Sequence, residues 1–395
     1  MRGVQLLFVL LGAALATVGP FIGVMLQGRG FTPSAIGLVA SVSALGFTIA
    51  VPVWGHLADV TLGRTRALQV AAIGSAAAMA AFGLPLPAIL LGASIVLWNV
   101  FQSALQPLAD ALAIGLLRDP ARQYGRIRLL TSVSYGIVVV GVGFLYDRTG
   151  YVAAPILWAL ACLILAVGLF AVREPRRTRL VIEHRGGSAR MALAVQPRLP
   201  AVLFTFGLLF FAILGSYTFM NLRIVELGGA PSAIAIASGL AAMAEVPGLV
   251  LAAPIARRIG LRGLFVGSAL LYSAAVLSWA FIDTPELLIA SRIVSGPAFG
   301  GLSMACVLTI NVLLPLRLQA TGQGLYQTIA FGVGSMLGNA ASGAAYEIVG
   351  PSGLFAGAAV AGMVAAAAGL VVLPRAGEAR APDPDEPDAT VGAAA

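Results

Sequence analysis

Residues 199–221 read Leu199-Pro200-Ala201-Val202-Leu203-Phe204-Thr205-Phe206-Gly207-Leu208-Leu209-Phe210-Phe211-Ala212-Ile213-Leu214-Gly215-Ser216-Tyr217-Thr218-Phe219-Met220-Asn221, a run without one charged group. A helix of that length rises roughly 35 Å, enough to cross the hydrocarbon core of a bilayer, about 30 Å thick. The rest of the chain repeats the pattern instead of covering it. Hydrophobic residues make up 59% of the 395 and charged residues 10%, with a mean hydropathy of +0.96. That composition leaves no polar shell for water, so lipid is the expected solvent.

Cutting the chain at its polar breaks gives twelve candidate spans, near 4–26, 34–55, 67–86, 88–116, 128–146, 152–172, 199–221, 232–256, 263–282, 286–314, 321–346 and 351–373. The slightest cuts are Leu84-Pro85-Leu86-Pro87 and Asp283-Thr284-Pro285-Glu286, where proline supplies the stop. The expected fold class is an all-α membrane protein of twelve transmembrane helices in two six-helix halves, residues 1–172 and 199–374. An Arg-rich central loop, 173–198, joins them, and a Pro- and Asp-rich tail, 375–395, is too polar to fold alone. The first run follows Arg2 and has no Ala-x-Ala site after it, so it reads as a spanning helix and not a cleaved signal.

Orientation follows from arginine, because loops kept in the cytoplasm carry the positive excess. All 24 basic residues are Arg; with both termini inside, 20 fall on the cytoplasmic side and only Arg29, Arg148, Arg223 and Arg292 do not. An odd number of spans would invert one half and destroy this asymmetry. The charge of +8 thus speaks of topology, and no basic stripe with interleaved aromatics suggests a nucleic acid. Cys162 and Cys306 lie in apolar runs, and His56 and His184 fall in loops or helix ends. No metal site, cofactor or nucleophile triad is expected from them. Gly332-Val333-Gly334 has no preceding strand, and the chain has no Lys for a phosphate-binding loop, which argues against ATP-driven transport.

The halves carry a faint internal repeat, as transporters built from two parallel units do. Leu57-Ala58-Asp59 followed by Gly63-Arg64-Thr65-Arg66 is echoed by Ile255-Ala256-Arg257 followed by Gly260-Leu261-Arg262. Gly143, Tyr146, Asp147 and Gly150 recur at a constant offset as Gly343, Tyr346, Glu347 and Gly350. The stretch Gly55 to Arg66 resembles the loop 2–3 signature of the major facilitator superfamily, although Val60 stands where a basic residue usually follows the acid. Tyr124-Gly125-Arg126-Ile127-Arg128, Pro107-Leu108-Ala109-Asp110, Ala244-Glu245-Val246-Pro247 and Thr321-Gly322-Gln323-Gly324-Leu325-Tyr326 resemble one subgroup, the phenylpropionate permease-like and nucleoside–proton symporter-like transporters; Leu130 replaces its usual Trp. The resemblance implies the major facilitator fold and proton-coupled uptake. Asp59, Arg64, Arg66, Arg126 and Arg128 are the candidate gating residues, since charges at the cytoplasmic mouth can bond in one gate state and release in the other.

Ionisable groups at bilayer depth are costly and therefore point to function. Glu245 lies near mid-membrane on span 8, two residues before Pro247; it reads either as a proton carrier and solute contact or as a hydrogen-bonding group at a broken helix. On span 4, Asn99, Gln106 and Asp110 share one face, flanked by Gln102 and Ser103, as a cavity lining or as contacts between helices. Asp110 is a second proton-coupling candidate, unless it pairs with Arg126 or Arg128. Arg292 on span 10 either snorkels to the interface, beside Asp283 or Glu286, or attracts an anionic solute. Tyr135, Tyr217, Asn221, Gln323, Tyr326 and Gln327 complete the candidate solute contacts, the last three sharing a face.

The expected activity is alternating-access transport of a small organic solute by a monomer, with the proton as coupling ion and the bacterial cytoplasmic membrane as its site. Efflux of drugs or metabolites on the same fold is the alternative, and a non-transporting receptor a third. No nucleophile, metal ligand set or His–acid pair supports an enzyme.

Overall fold

A chain whose apolar runs show no alternation can satisfy its backbone in lipid only by coiling on itself. The computed structural model describes residues 2–117, 120–171 and 188–375, and among them it contains helices and no strand. Most of the expected central loop and nearly all of the tail lie outside the described residues. Within the loop, residues 189–195 form a short helix, Ala189–Val195, whose first turn is capped by Ser188, Oγ accepting from the Met191 N–H at 3.2 Å.

Nine helical stretches among the described residues are long and apolar enough to cross a bilayer: α1 (Gly3–Gly28), α2 (Pro33–Leu62), α3 (Arg64–Phe82), α4 (Ala88–Leu116), α5 (Gln123–Gly168), α6 (Leu199–Glu226), α7 (Pro231–Trp279), α8 (Pro285–Leu313) and α9 (Leu316–Val372). Both of the slight breaks, 84–87 and 283–286, separate helices, α3 from α4 and α7 from α8. Three stretches, α5, α7 and α9, run 46, 49 and 57 residues, about twice what one crossing needs. Each contains a glycine with positive φ, Gly150 at 63°, Gly260 at 76° and Gly350 at 74°, a conformation that turns the chain and disfavours any other residue. The remaining positive-φ glycines of the described residues are Gly30, Gly63 and Gly228, so the six fall into pairs, 30 with 228, 63 with 260 and 150 with 350.

The repeated tyrosines hold equivalent helices together. Tyr146 on α5 donates to the Thr17 carbonyl on α1 at 2.8 Å, and Tyr346 on α9 donates to Glu226 Oε2 at the end of α6 at 2.6 Å. Both rings are buried, and each is packed against an aromatic partner, Phe21 and Phe219 respectively. Small residues permit the close approach of the same helix pairs: a Cβ on Gly12 would meet the Thr131 carbonyl at 2.2 Å, and one on Gly338 the Phe211 carbonyl at 2.3 Å.

The acids next to the tyrosines reach the other half. Asp147 Oδ1 accepts the Ser232 N–H at the start of α7, and Glu347 Oε2 accepts the Ser34 N–H at the start of α2, each at 2.9 Å. Two further bonds join the halves at the same end of the molecule: Ser41 Oγ to the Met336 carbonyl at 2.7 Å and Asn221 Nδ2 to the Pro20 carbonyl at 2.9 Å. Gly37 and Gly343 abut there, backbone to backbone, and α2 approaches α9 again where Thr48 meets Gly332. Around that second contact α9 widens to π-helical geometry over Thr328–Gly334.

Candidate transport site

Four groups from four separate stretches converge on one cavity of about 240 Å³: Tyr135 of α5, Tyr217 of α6, Glu245 of α7 and Arg292 of α8. Tyr272 and Phe299 complete its aromatic wall. Tyr135 comes from before the central loop and every other lining residue, from Ile213 to Phe299, from after it, so α5 closes one side of a cavity built chiefly by the C-terminal part of the chain.

Arg292 neither snorkels nor pairs with Asp283 or Glu286. It is 3% exposed, with its guanidinium carbon 4.9 Å from the centre of the Tyr217 ring and 5.6 Å from that of Trp279. Trp279 is itself anchored, donating from Nε1 to Ser291 Oγ at 2.8 Å and packing edge-on against Phe355. Arg292 Nη1 makes a long bond to Ser295 Oγ, 3.5 Å, and the Tyr272 hydroxyl lies within hydrogen-bonding reach of the guanidinium. Its Nε has no hydrogen-bond partner, and no carboxylate among the described residues forms an ion pair with it. Glu245 lines the same cavity yet stays beyond ion-pair distance from Arg292.

A second cavity, about 340 Å³, adjoins the first through Leu214 and contains Asn99. Trp98, Ser43, Thr218 and Asn339 line it as well. Thr218 donates to Asn339 Oδ1 at 3.2 Å, and Asn339 Nδ2 donates to the Ser335 carbonyl at 2.8 Å. Ser43 Oγ, Trp98 Nε1 and Asn99 Oδ1 are buried without a partner.

The other candidates are placed elsewhere. Asn221 makes the Pro20 contact between the halves, Tyr326 is buried among Phe206, Phe210 and Phe331, and Gln327 is exposed. Gln323 donates to the Val307 carbonyl at 3.0 Å and to Asn311 Oδ1 at 3.1 Å, within its own half. Gln102 is half-buried beside the cavity-lining turn of α4, and Gln106 donates to Asp110 Oδ1 at 2.8 Å. Tyr124 lies within hydrogen-bonding reach of both Asp110 and Arg128, while Arg126 and Arg66 are exposed. Arg64 stands 4.0 Å from Asp59 and donates to the Ala111 carbonyl at 2.9 Å, tying the start of α3 to the end of α4. Sequence reading did not single out Tyr272, Trp279 or Asn339. The two aromatics sit in apolar runs that look like any core, whereas Asn339, four residues after Ser335, carried a polar signal at helical spacing.

The MFS_1 like family matches residues 3–356 of the chain. The chain belongs to that family. Among curated relatives, a maltose permease of Geobacillus stearothermophilus is 29% identical over 335 residues, 84% of each protein. The multidrug resistance protein MdtG of Citrobacter koseri is 30% identical over 74% of this chain and 75% of its own. Two solved structures share the fold: the nucleoside transporter NupG, with a TM-score of 0.80 at 16% identity over 94% of this chain and 98% of its own, and a bacterial homologue of the lysosomal transporter Spinster, inward-facing and unoccupied, with a TM-score of 0.67 at 14% identity over 94% of each. The protein is therefore a multi-pass membrane transporter of the major facilitator type and not an enzyme.

Proposed function

We propose that this chain is a secondary active transporter that takes up a small organic solute with a proton, as a monomer in a bacterial cytoplasmic membrane. The observation that carries the reading is the meeting of Tyr135, Tyr217, Glu245 and Arg292 around one cavity lined from both halves. Rocking of one half against the other would expose that cavity to each side in turn. Counting α5, α7 and α9 as two crossings each gives the twelve spans expected from the sequence, with both termini cytoplasmic. Residues 1–172 and 199–374 then act as the two moving bodies. The hydrogen bonds between them lie at the end expected to be outer, where they would close the outer mouth. Asp59, Arg64, Arg66, Arg126 and Arg128 form the cytoplasmic gate, with Asp110 as a second site for a proton.

Glu245 is the coupling group, since a carboxyl at membrane depth is costly to charge and exchanges its proton when the cavity opens. In proteoliposomes with an imposed pH gradient, the wild-type chain accumulates solute and Glu245→Gln only equilibrates it. Equal accumulation by the variant would remove Glu245 from the coupling step. Single cysteines at Arg29 and Arg190, both exposed, should label from opposite membrane faces; labelling of both from one face would overturn the orientation. Efflux is the second reading, favoured by the identity to MdtG, and it is distinguished in the same vesicles by accumulation against the opposite gradient.

A further inference from the structure

We infer that the cargo is a small organic monoanion of the carboxylate kind, bound at Arg292 and carried electroneutrally with one proton on Glu245. The inference rests on the transport reading above and adds the charge of the solute. Its basis is the state of Arg292: 3% exposed, with one long bond to Ser295, the Tyr272 hydroxyl in reach, an Nε without a partner, and no carboxylate paired to it. Stacking on Tyr217 and Trp279 offsets part of the desolvation of a buried cation and fixes the plane of the guanidinium, but rings and hydroxyls supply no countercharge. A carboxylate supplies one, and its two oxygens match the fork of guanidinium donors.

The charge count of the cavity gives the stoichiometry. Its ionisable lining consists of Glu245, Arg292 and three tyrosines, Tyr135, Tyr217 and Tyr272. While Glu245 is ionised it balances Arg292 across the cavity without touching it; once Glu245 takes up a proton, and with the tyrosines neutral, Arg292 is left without a countercharge. A monoanion alone would make the cavity negative, and a proton alone would make it positive; both excesses are disfavoured where water is scarce. Loading the two together restores neutrality: the proton adds to a Glu245 oxygen as the anion settles against Arg292, and both leave on the other side. A neutral solute accompanied by a proton would leave an uncompensated buried cation.

The test compares acids with their own amides in proteoliposomes of the wild-type chain, after subtracting the passive weak-acid accumulation of protein-free liposomes under the same gradient: butyrate with butyramide, lactate with lactamide, benzoate with benzamide. At least one acid should accumulate more than about tenfold over its amide, the scale set by one charge-assisted hydrogen-bonded pair. Its rate should follow an imposed pH gradient and stay unchanged under a potassium–valinomycin potential. Arg292→Gln should abolish the acid preference and Arg292→Lys should restore part of it; the comparison within the wild type stands even if neither variant folds. Accumulation of amides and acids alike, or uptake driven by the potential, overturns the monoanion and leaves proton-coupled transport standing. If nothing accumulates under a pH gradient, from this panel or from neutral sugars and nucleosides, both readings fall.

Discussion

Asp147 and Glu347 perform the same task in opposite directions: the first caps the start of α7 and the second caps the start of α2, each accepting a backbone N–H at 2.9 Å across the junction between the halves. In both places the capped helix begins with Pro at its first position, Pro231 and Pro33, and the bonded N–H belongs to the serine after it. The positive end of a helix favours a carboxylate. Two such contacts, one at α5–α7 and one at α2–α9, close the same face of the molecule.

Opening that face breaks both caps, so removing a carboxylate should favour the opened state. Asp147→Ala and Glu347→Ala are each expected to raise labelling of a cysteine placed at Ser41 severalfold over the same cysteine in the wild-type background. The double variant should exceed either, because the two contacts sit on different helix pairs. Unchanged labelling in the double variant would reduce the caps to surface ornament.

The glycine contact beside the Glu347 cap yields a stricter test. A Cβ on Gly37 would lie 2.5 Å from the Asn339 carbonyl oxygen and 2.8 Å from Gly343 Cα, backbone atoms that cannot rotate away. Gly37→Val should therefore force α2 from α9, at a cost of about 1–3 kcal/mol to the closed face. Spin labels on Ser34 and Ile348 should read a longer mean distance. Gly136→Ala serves as the control, since its Cβ meets nothing within 4 Å.

The paired tyrosines separate packing from function. Tyr146→Phe leaves the buried Thr17 carbonyl without its bond and should lower stability by about 1 kcal/mol, read as thermal unfolding in detergent. Tyr346→Phe should lower it less, because the Glu226 side chain is 31% exposed and water can replace the lost donor. A larger loss at Tyr346 would mean that Glu226 is less hydrated than its exposure implies.

Much of the fold was legible because the physical demand was simple. Apolar runs of bilayer length and prolines at the slight breaks need no knowledge of packing. The recurrence of Tyr146 and Asp147 as Tyr346 and Glu347 was visible too, but only as a pattern. That the tyrosine binds within its half while the acid crosses to the other requires the packed helices.

The candidate site divides along the same line. Depth along a helix is a property of sequence, and by itself it marks Glu245 and Arg292. Direction around the helix axis is not: periodicity assigns residues to a common face without saying which neighbour that face meets. Packing turned Asn99 toward the second cavity, Gln323 toward Asn311 and Asn221 toward Pro20. It also brought Tyr135 from one half against Tyr217, Glu245 and Arg292 from the other. The sequence by itself determined that lipid is the solvent, how many apolar runs there are and which charges lie deep. Only the tertiary structure decided which of those groups share a cavity, because that depends on how each helix is rotated against its neighbours.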